Sequence, residues 1–175
     1  MTSEKEQILP DRPCRPGRIL LIGINPSPIS VEQGHYYRGR LGVRLWSRLQ
    51  GLGILKDATR GHEDDAFVWA GNGLTDLVKR ATRSASELTG AELSAGTEAL
   101  KSKILQWQPG LLLFQFRPPA VRLLGSDVRP GLCGKFEDVP CFLFSGPYAP
   151  AIDAERVDCE LKGFLPQLAP ATSQG

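Results

Sequence analysis

Residues 18–28 read Arg-Ile-Leu-Leu-Ile-Gly-Ile-Asn-Pro-Ser-Pro, a short apolar run followed by turn-forming residues. A continuous apolar run of this length, bounded by such residues, is typical of a strand that is buried in a sheet. We therefore predict a buried strand over this run, with its carboxyl end opening into a loop at Asn25.

The same pattern returns along the chain, where apolar runs alternate with helical periodicity. Further strands are predicted over residues 66–70, 111–116 and 139–145. Helices are predicted over residues 41–55, from a capping box at Thr89 and Glu92 to about residue 106, over residues 118–124, and after an Asp153 cap. This alternation indicates an α/β three-layer sandwich with a central, largely parallel sheet. Ligands bind such sheets beyond the carboxyl ends of the strands, so we expect the site in the turns after Ile24 and Phe144.

The composition is that of a globular domain, because 41% of the 175 residues are hydrophobic and 23% are charged. We expect a single domain over residues 1–175, with loose termini over about 1–15 and 169–175. No apolar run approaches the roughly 18 residues that span a membrane, and the charged, proline-rich start lacks the apolar stretch of a signal peptide. We therefore expect an intracellular, cytoplasmic protein, nucleoid-associated if the source is bacterial, with no membrane partner.

Cysteine and histidine usage disfavours a metal site. The four cysteines, Cys14, Cys133, Cys141 and Cys159, form no Cys-x-x-Cys pair, and the chain has two histidines. Zinc and iron–sulfur sites need more ligands at characteristic spacings. We expect free thiols in a reducing compartment and no metal site.

The net charge of +2 indicates no partner by itself, but the positions of the basic residues are informative. Residues 33–56 contain five basic residues and no acidic one, and a second group follows at Lys79, Arg80 and Arg83. Two such groups suit an anionic ligand such as a nucleic-acid backbone. The alternative interpretation is that both are solvated helix faces.

Three motifs in one order connect these features. Residues 23–27 read Gly-Ile-Asn-Pro-Ser, residues 34–37 read Gly-His-Tyr-Tyr and precede an aromatic at Trp46, and residues 73–80 read Gly-Leu-Thr-Asp-Leu-Val-Lys-Arg. From about residue 19 to residue 168 the chain resembles the mismatch-specific uracil/thymine DNA glycosylases of the uracil-DNA glycosylase superfamily. The first motif alone is weak, whereas the three in this order are fairly specific.

The resemblance implies an enzyme that flips a base out of the duplex, stabilises the leaving uracil anion and directs a water at the sugar. It implies that Asn25 positions this water. An amide suffices for that role because bond breaking runs ahead of attack. The alternative interpretation is that Asn25 only supports a tight turn before Pro26.

The resemblance also implies which residues hold the base. Tyr37 matches a family aromatic that stacks on the flipped pyrimidine, and a core tyrosine is the alternative. Backbone groups at Gly23, Ile24 and Tyr37 are expected to read the edge of the base. Ser30 matches a family serine near the base and is equally well explained as a loop serine.

Asp76 is the main departure from the family pattern, because some relatives have a basic residue there. A carboxylate at this position can act as a general base toward the water and can stabilise the sugar cation. Equally, Asp76 could cap a helix by accepting a hydrogen bond from the amide of Lys79. The residues do not decide between these two roles.

Residues 145–150, Ser-Gly-Pro-Tyr-Ala-Pro, replace the His-Pro-Ser or Asn-Pro-Ser that superfamily members carry after the last strand. Without that His or Asn, the resemblance implies weaker catalysis but retains base flipping. Tyr148 is the candidate wedge for the vacated stack, and Ser145 and Gly146 are candidate phosphate contacts. His35 is interpreted as a loop histidine rather than a titrating catalytic group.

The basic groups then have a place beside the expected pocket. Arg38, Arg40 and Arg44 follow the base-stacking loop, and Lys79, Arg80 and Arg83 follow Asp76. Phosphates of a bent duplex passing these residues would make binding fall steeply with salt.

The sequence therefore favours a monofunctional glycosylase that hydrolyses the N-glycosidic bond of uracil, mispaired above all, and of other damaged pyrimidines in base excision repair. The expected partner is double-stranded DNA that contains uracil or a mispaired pyrimidine. Because water is the nucleophile, no cofactor is expected, and we expect a monomer. The alternative is a lesion-binding protein of the same fold with little or no catalysis. An unrelated α/β hydrolase or nucleotide-binding domain lacks its sequence motifs.

Overall fold

A five-stranded sheet lies at the centre of the computed structural model, which describes residues 8–168. Its strands are β1 (Ile19–Gly23), β2 (Gly73–Asp76), β3 (Leu111–Phe114), β4 (Gly131–Phe136) and β5 (Val139–Leu143). In space they follow the order β2-β1-β3-β5-β4, in which the first four pair in parallel and β4 runs antiparallel at one edge. The predicted α/β class with a largely parallel sheet is confirmed.

Six α-helices accompany the sheet within the described residues. They are α1 (Pro28–Gln33), α2 (Arg40–Gly51), α3 (Glu63–Trp69), α4 (Gly90–Trp107), α5 (Arg117–Leu124) and α6 (Ala151–Phe164). Short 3-10 helices lie at Ala85–Glu87 and Leu165–Gln167. The core forms two clusters, one between the sheet and α2, α3 and α6, the other between the sheet and α4 and α5. The predicted three-layer sandwich is therefore confirmed.

The residues of β1 show why helices cover both faces of the sheet. Ile19 and Leu21 pack in the cluster of α2, and Leu20 and Ile22 pack in the cluster of α4, because successive side chains of a strand point to opposite faces. All five residues of the strand are buried. Buried residues without polar side chains along the whole strand are what a parallel strand between two helical layers requires.

The strand predicted over residues 66–70 is wrong, because most of this stretch lies in α3. Phe67 projects from this helix into the core and is fully buried. The acidic residues of the first turn, Glu63, Asp64 and Asp65, interact favourably with the positive end of the helix dipole. The strand lies just beyond it, at β2. A five-residue apolar run does not by itself distinguish a buried helix from a buried strand.

Two other differences concern β4 and the start of α6. The sequence pattern does not predict β4, whose exposed and half-buried residues form no apolar run. The predicted Asp153 cap is wrong, because Pro150 occupies the cap position without a side-chain hydrogen bond and Asp153 lies in the first turn. The capping box of α4 is confirmed: the Thr89 hydroxyl accepts from the Glu92 amide at 3.1 Å, and the Glu92 carboxylate accepts from the Thr89 amide at 2.8 Å.

Residues 8–15, expected to belong to a loose terminus, pack against the sheet instead. Leu9 is 2% exposed in the cluster of α2. The backbone of Arg12 exchanges hydrogen bonds of 2.9 and 2.8 Å with Leu74 of β2. These backbone bonds hold the segment at the edge of the sheet, which a pattern of charges and prolines does not reveal.

Residues 1–7 and 169–175, the rest of the expected loose termini, lie outside the described residues. No helix within residues 8–168 combines the length and the hydrophobicity that crossing a membrane requires. The four cysteines are free thiols, as the sequence predicts.

Helix α2 touches the loop before it at Gly42. A Cβ at this position would overlap the backbone carbonyl of Tyr37. Gly51 lies at the other end of the same helix, and a Cβ there would meet nothing within 4 Å. The two glycines therefore separate the effect of close packing from that of helix propensity.

We expect Gly42→Ala to lower the free energy of unfolding by about 1–3 kcal/mol, because α2 must move away from a rigid backbone group. Gly51→Ala is expected to leave it unchanged or to raise it by up to about 1 kcal/mol, because alanine favours helix. Urea denaturation of the two variants measures both effects. Equal effects would contradict the close contact at Gly42.

Candidate active site

A cavity of about 530 Å³ opens where β1 and β2 end, at the carboxyl edge of the parallel sheet. The predicted site residues that line it are Ile24, Asn25, Ser30, Tyr37, Arg40, Asp76 and Arg83. Lining residues that the sequence does not indicate include Leu9, Tyr36, Thr82 and Phe116. Among the described residues, this lining has one carboxylate and no histidine or cysteine, so it offers a metal ion too few ligands.

Gly23 leaves the space in which two polar side chains meet. The parallel register sets Gly23 of β1 opposite Asp76 of β2. A Cβ on residue 23 would overlap Oδ1 of Asp76 and would lie 2.9 Å from the hydroxyl oxygen of Tyr37. The close approach of these two polar groups to the backbone of β1 therefore requires glycine at position 23.

The chain after β2 runs along the end of β1. The amides of Leu77 and Val78 donate to the carbonyls of Gly23 and Ile24 at 3.0 and 2.8 Å. No helix begins directly after Asp76 in the described chain, so the alternative role of this residue as a helix cap is wrong. The side chain of Asp76 lines the cavity instead.

Asp76 is a buried carboxyl group, with 3% of the residue exposed. Burial raises the pKa of Asp76 to about 7, because it disfavours the charged form more than the positive charge of Lys79 favours it. An ordinary aspartate titrates near pH 4. The raised pKa lets Asp76 exchange a proton near neutral pH, which is the property that a general base needs.

The amide of Asn25 is oriented by the loop that follows β2. Its Nδ2 donates to the carbonyl of Arg80 at 3.0 Å and to Oγ1 of Thr82 at 2.7 Å. The Thr82 hydroxyl itself donates to the carbonyl of Ser84 at 2.8 Å, so it can only accept from Asn25. Both contacts identify the nitrogen of the amide as the atom that faces the loop. Oδ1 accepts no hydrogen bond from a described residue, so it can accept one from a water.

Tyr37 presents its ring to the cavity from a strained backbone position. Its φ is +55°, in the left-handed region that non-glycine residues rarely adopt. The ring packs edge-on against Trp46 at a centroid distance of 5.7 Å. Its hydroxyl is buried with no hydrogen-bond partner among the described residues. Burial and the charge of Asp76 raise the pKa of Tyr37 well above its usual range, so the hydroxyl keeps its proton.

Two buried polar side chains brace the loop that carries Tyr37. The Ser30 hydroxyl accepts from the amide of Arg38 at 3.1 Å and from the hydroxyl of Ser27 at 3.0 Å. The buried carboxylate of Asp64 accepts from the amide of Tyr36 at 2.9 Å. Ser30 therefore lines the cavity and also supports the loop, and Asp64 contributes a brace that no sequence motif indicates.

The predicted DNA-binding residues divide into two sets. Arg40 and Arg83 are exposed and line the cavity, and exposed Arg44 lines an adjoining cavity of about 250 Å³. The other set forms ion pairs, which are Arg38 with Glu63 at 3.5 Å, Lys79 with Asp11, and Arg80 with Glu92 at 2.6 Å. The paired residues have carboxylates that already offset part of their charge.

The segment after β5 borders the adjoining cavity. Buried Ser145 accepts a hydrogen bond of 2.9 Å from Arg48, whose Nε donates to Asp158 at 2.6 Å. Gly146 lines the cavity, and Tyr148 is 96% exposed. Arg48 and Asp158 hold this segment through contacts between residues far apart in sequence, for which the sequence carries no signal.

Between about pH 4 and pH 7 the folded protein holds a proton on Asp76 that the unfolded chain releases. The unfolded state binds fewer protons, so the free energy of unfolding falls as pH rises through this window, by up to about 1.4 kcal/mol per pH unit. Asp76→Asn removes this titration. We expect the stability gained by Asp76→Asn over the parent to grow up to about pH 7 and then level off.

Urea denaturation across this pH range measures the difference between variant and parent. Asp138→Asn is the matched control, because Asp138 is exposed and lies in a turn with a positive φ that asparagine also adopts. A stability difference for Asp76→Asn that is independent of pH would contradict the raised pKa.

Residues 11–126 match the protein family described as the Uracil DNA glycosylase superfamily. The matched region is more than half of the 175 residues and contains β1, β2 and β3. Asn25, Tyr37 and Asp76 all lie within it. The chain therefore belongs to the uracil DNA glycosylase superfamily, which assigns it in general terms to the DNA glycosylases, hydrolases of DNA repair.

Proposed function

We propose that the protein is a monofunctional DNA glycosylase that releases uracil from double-stranded DNA, above all from mispairs. The observation that carries the proposal is the meeting of Asn25, Tyr37 and Asp76 in one cavity at the carboxyl edge of the sheet. The motifs at residues 23–27 and 73–80 support a place among the mismatch-specific uracil/thymine glycosylases. Other damaged pyrimidines are further substrates under this proposal.

The flipped base enters the cavity and stacks on the ring of Tyr37. Stacking on an aromatic face contributes roughly 1–3 kcal/mol per base and tolerates different bases. The buried Tyr37 hydroxyl, which lacks a partner among the described residues, gives a polar base a hydrogen-bonding group. Backbone groups at Gly23 and Ile24 lie at the same end of β1 and read the pyrimidine edge.

Hydrolysis begins with heterolysis of the N-glycosidic bond. The uracil leaves with the bonding electron pair as an anion, and the sugar becomes an oxocarbenium-like cation. A water that donates a hydrogen bond to Oδ1 of Asn25 attacks C1′ of the sugar. Its proton passes to the ionised carboxylate of Asp76, which also stabilises the cation electrostatically. The proton then passes from Asp76 to the uracil anion, which regenerates the carboxylate. The products are free uracil and abasic DNA, and water is the only co-reactant.

The rim of the cavity suits the DNA backbone. Arg40 and Arg83 are exposed beside the opening, and Arg44 follows along α2. Ser145 and Gly146 extend this border toward Tyr148, and under this proposal the exposed ring of Tyr148 fills the gap left by the flipped base. Mispaired bases cost less to extrude than paired ones, which favours them as substrates. The proposal needs one chain and no cofactor.

A lesion-binding protein of the same fold is the second candidate. Residues 145–150 contain neither histidine nor asparagine, and this observation favours weaker catalysis. Tight binding of G·U duplex without release of uracil distinguishes this candidate from the glycosylase.

We expect the parent to release uracil from a G·U duplex under single-turnover conditions. The rate should rise with pH and level off above about pH 7, because Asp76 must be ionised to accept the proton. Asp76→Asn should lower the rate by roughly 10²- to 10⁴-fold, the usual contribution of a general base. Asn25→Ala should lower it as well, and Asp138→Asn should not change it.

Comparing Asn25→Ala with Asp76→Asn shows which of the two side chains contributes more to activation of the water. A larger loss in Asn25→Ala than in Asp76→Asn would assign the main role to the amide. A pH-independent rate would remove Asp76 as the base. No release by the parent at any enzyme excess, with duplex binding intact, would support the lesion-binding candidate.

Binding of the duplex is expected to depend on Arg40 and Arg83 at the rim, which form no ion pair within residues 8–168. Arg40→Gln and Arg83→Gln should each weaken binding and reduce the slope of log K against log salt concentration by about 1. Lys101→Gln removes a charge on α4 that pairs with Glu98, and it should leave the slope unchanged. Fluorescence anisotropy with labelled duplex measures both quantities, and equal slopes for all variants would contradict this rim.

A further inference from the structure

The two histidines of the chain, His35 and His62, come together although they are far apart in sequence. Their ring centroids are 4.6 Å apart, and the ring planes meet at 76°. His35 directly precedes the tyrosines of the cavity loop, and His62 directly precedes α3. The fold thus brings together two metal-binding side chains whose spacing matches no metal motif.

Asp65 completes a group of three ligands. Its Oδ2 lies 3.0 Å from Nδ1 of His62 and 3.9 Å from Nδ1 of His35. One ligand atom from each of the three residues lies within 4.8 Å of the other two. The other oxygen, Oδ1, contacts the guanidinium of Arg12 at 3.2 Å, so Oδ2 is the oxygen that faces the histidines.

A buried carboxylate holds one of the histidines in place. Asp64 is 1% exposed, and its Oδ1 lies 2.9 Å from Nδ1 of His35. Its Oδ2 accepts from the amide of Tyr36 at 2.9 Å, so the same side chain fixes both the ring and the backbone of this segment. Metal-ligating histidines commonly have such a carboxylate at the ring nitrogen that does not bind the metal, so Asp64 leaves Nε2 of His35 as the ligand atom.

We propose that His35, His62 and Asp65 form a binding site for a divalent transition-metal ion, with Zn²⁺ as the best match. Imidazole and carboxylate together suit zinc, and three protein ligands leave a further position for water. The three side chains are 23%, 58% and 36% exposed, so an ion reaches them from solvent. None of them lines the cavity of the candidate active site.

The ion would connect two segments rather than take part in hydrolysis. One ligand belongs to the loop that carries Tyr36 and Tyr37, and the other two belong to the start of α3. A metal bridge between them would restrict the motion of the loop on which the proposed stacking residue lies. The site is independent of the proposed substrate, because its ligands are outside the cavity.

The test is titration of the untagged 175-residue chain with Zn²⁺ by isothermal calorimetry. We expect one ion per chain for the parent, with a Kd in the micromolar range or tighter. His62→Gln should weaken binding by about tenfold or more, since even outer-shell partners of a metal site have effects of this size. His62 is exposed, so this variant retains the fold. Cys159→Ser, which removes the exposed thiol, should bind as the parent does.

Thermal unfolding gives a second readout. At a hundredfold excess of Zn²⁺ over Kd, the Tm of the parent should rise by about 5–10 °C, and that of His62→Gln should rise much less. A parent Kd weaker than millimolar, equal binding by His62→Gln, or binding that disappears in Cys159→Ser would each overturn the proposal.

Discussion

Gly23 and Asp76 stand opposite each other where two parallel strands end, and the geometry of the cavity depends on this pairing. Strand register fixes which residues face each other at the edge of the sheet. The missing Cβ of Gly23 then allows the carboxyl of Asp76 and the hydroxyl of Tyr37 to approach the same place. Any larger residue at position 23 would displace both groups. The register of the parallel sheet therefore sets the positions of these polar groups.

The loops around the cavity are held by buried polar side chains. Ser30 and Asp64 each accept from a backbone amide of the loop with Tyr37, and Thr82 connects Asn25 to the backbone at Ser84. A buried polar group that loses its partner costs about 1–3 kcal/mol, so these loops have few alternative positions. This restriction suits catalysis, because groups that are already in place need no reorganisation during the reaction.

Local signals in the sequence predict much of this fold, but they predict few of the contacts that hold the cavity loops in place. The apolar run of β1 and the capping box at Thr89 and Glu92 act over a few residues, and both predictions are confirmed. Residues 66–70 mislead, because their burial comes from a helix and not from a strand. The contacts of Asp64 and Thr82 join segments that are distant in sequence, and no local pattern encodes them. The motif residues therefore mark the cavity, whereas its bracing follows only from the folded structure.

The carbonyl that receives the Asn25 amide belongs to Arg80, and the side chain of Arg80 reaches the first turn of α4. There the guanidinium contacts the carboxylate of Glu92 and lowers the pKa of Glu92 to about 2. The same carboxylate forms the capping box with Thr89. Fraying of this helix end would remove one of the contacts that hold Arg80, whose carbonyl is one of the acceptors of the Asn25 amide. Order at the helix terminus and the position of the Asn25 amide are thus coupled through Arg80. Since exposed ion pairs weaken with salt, ionic strength can alter the fraction of molecules with an ordered site before any DNA is bound.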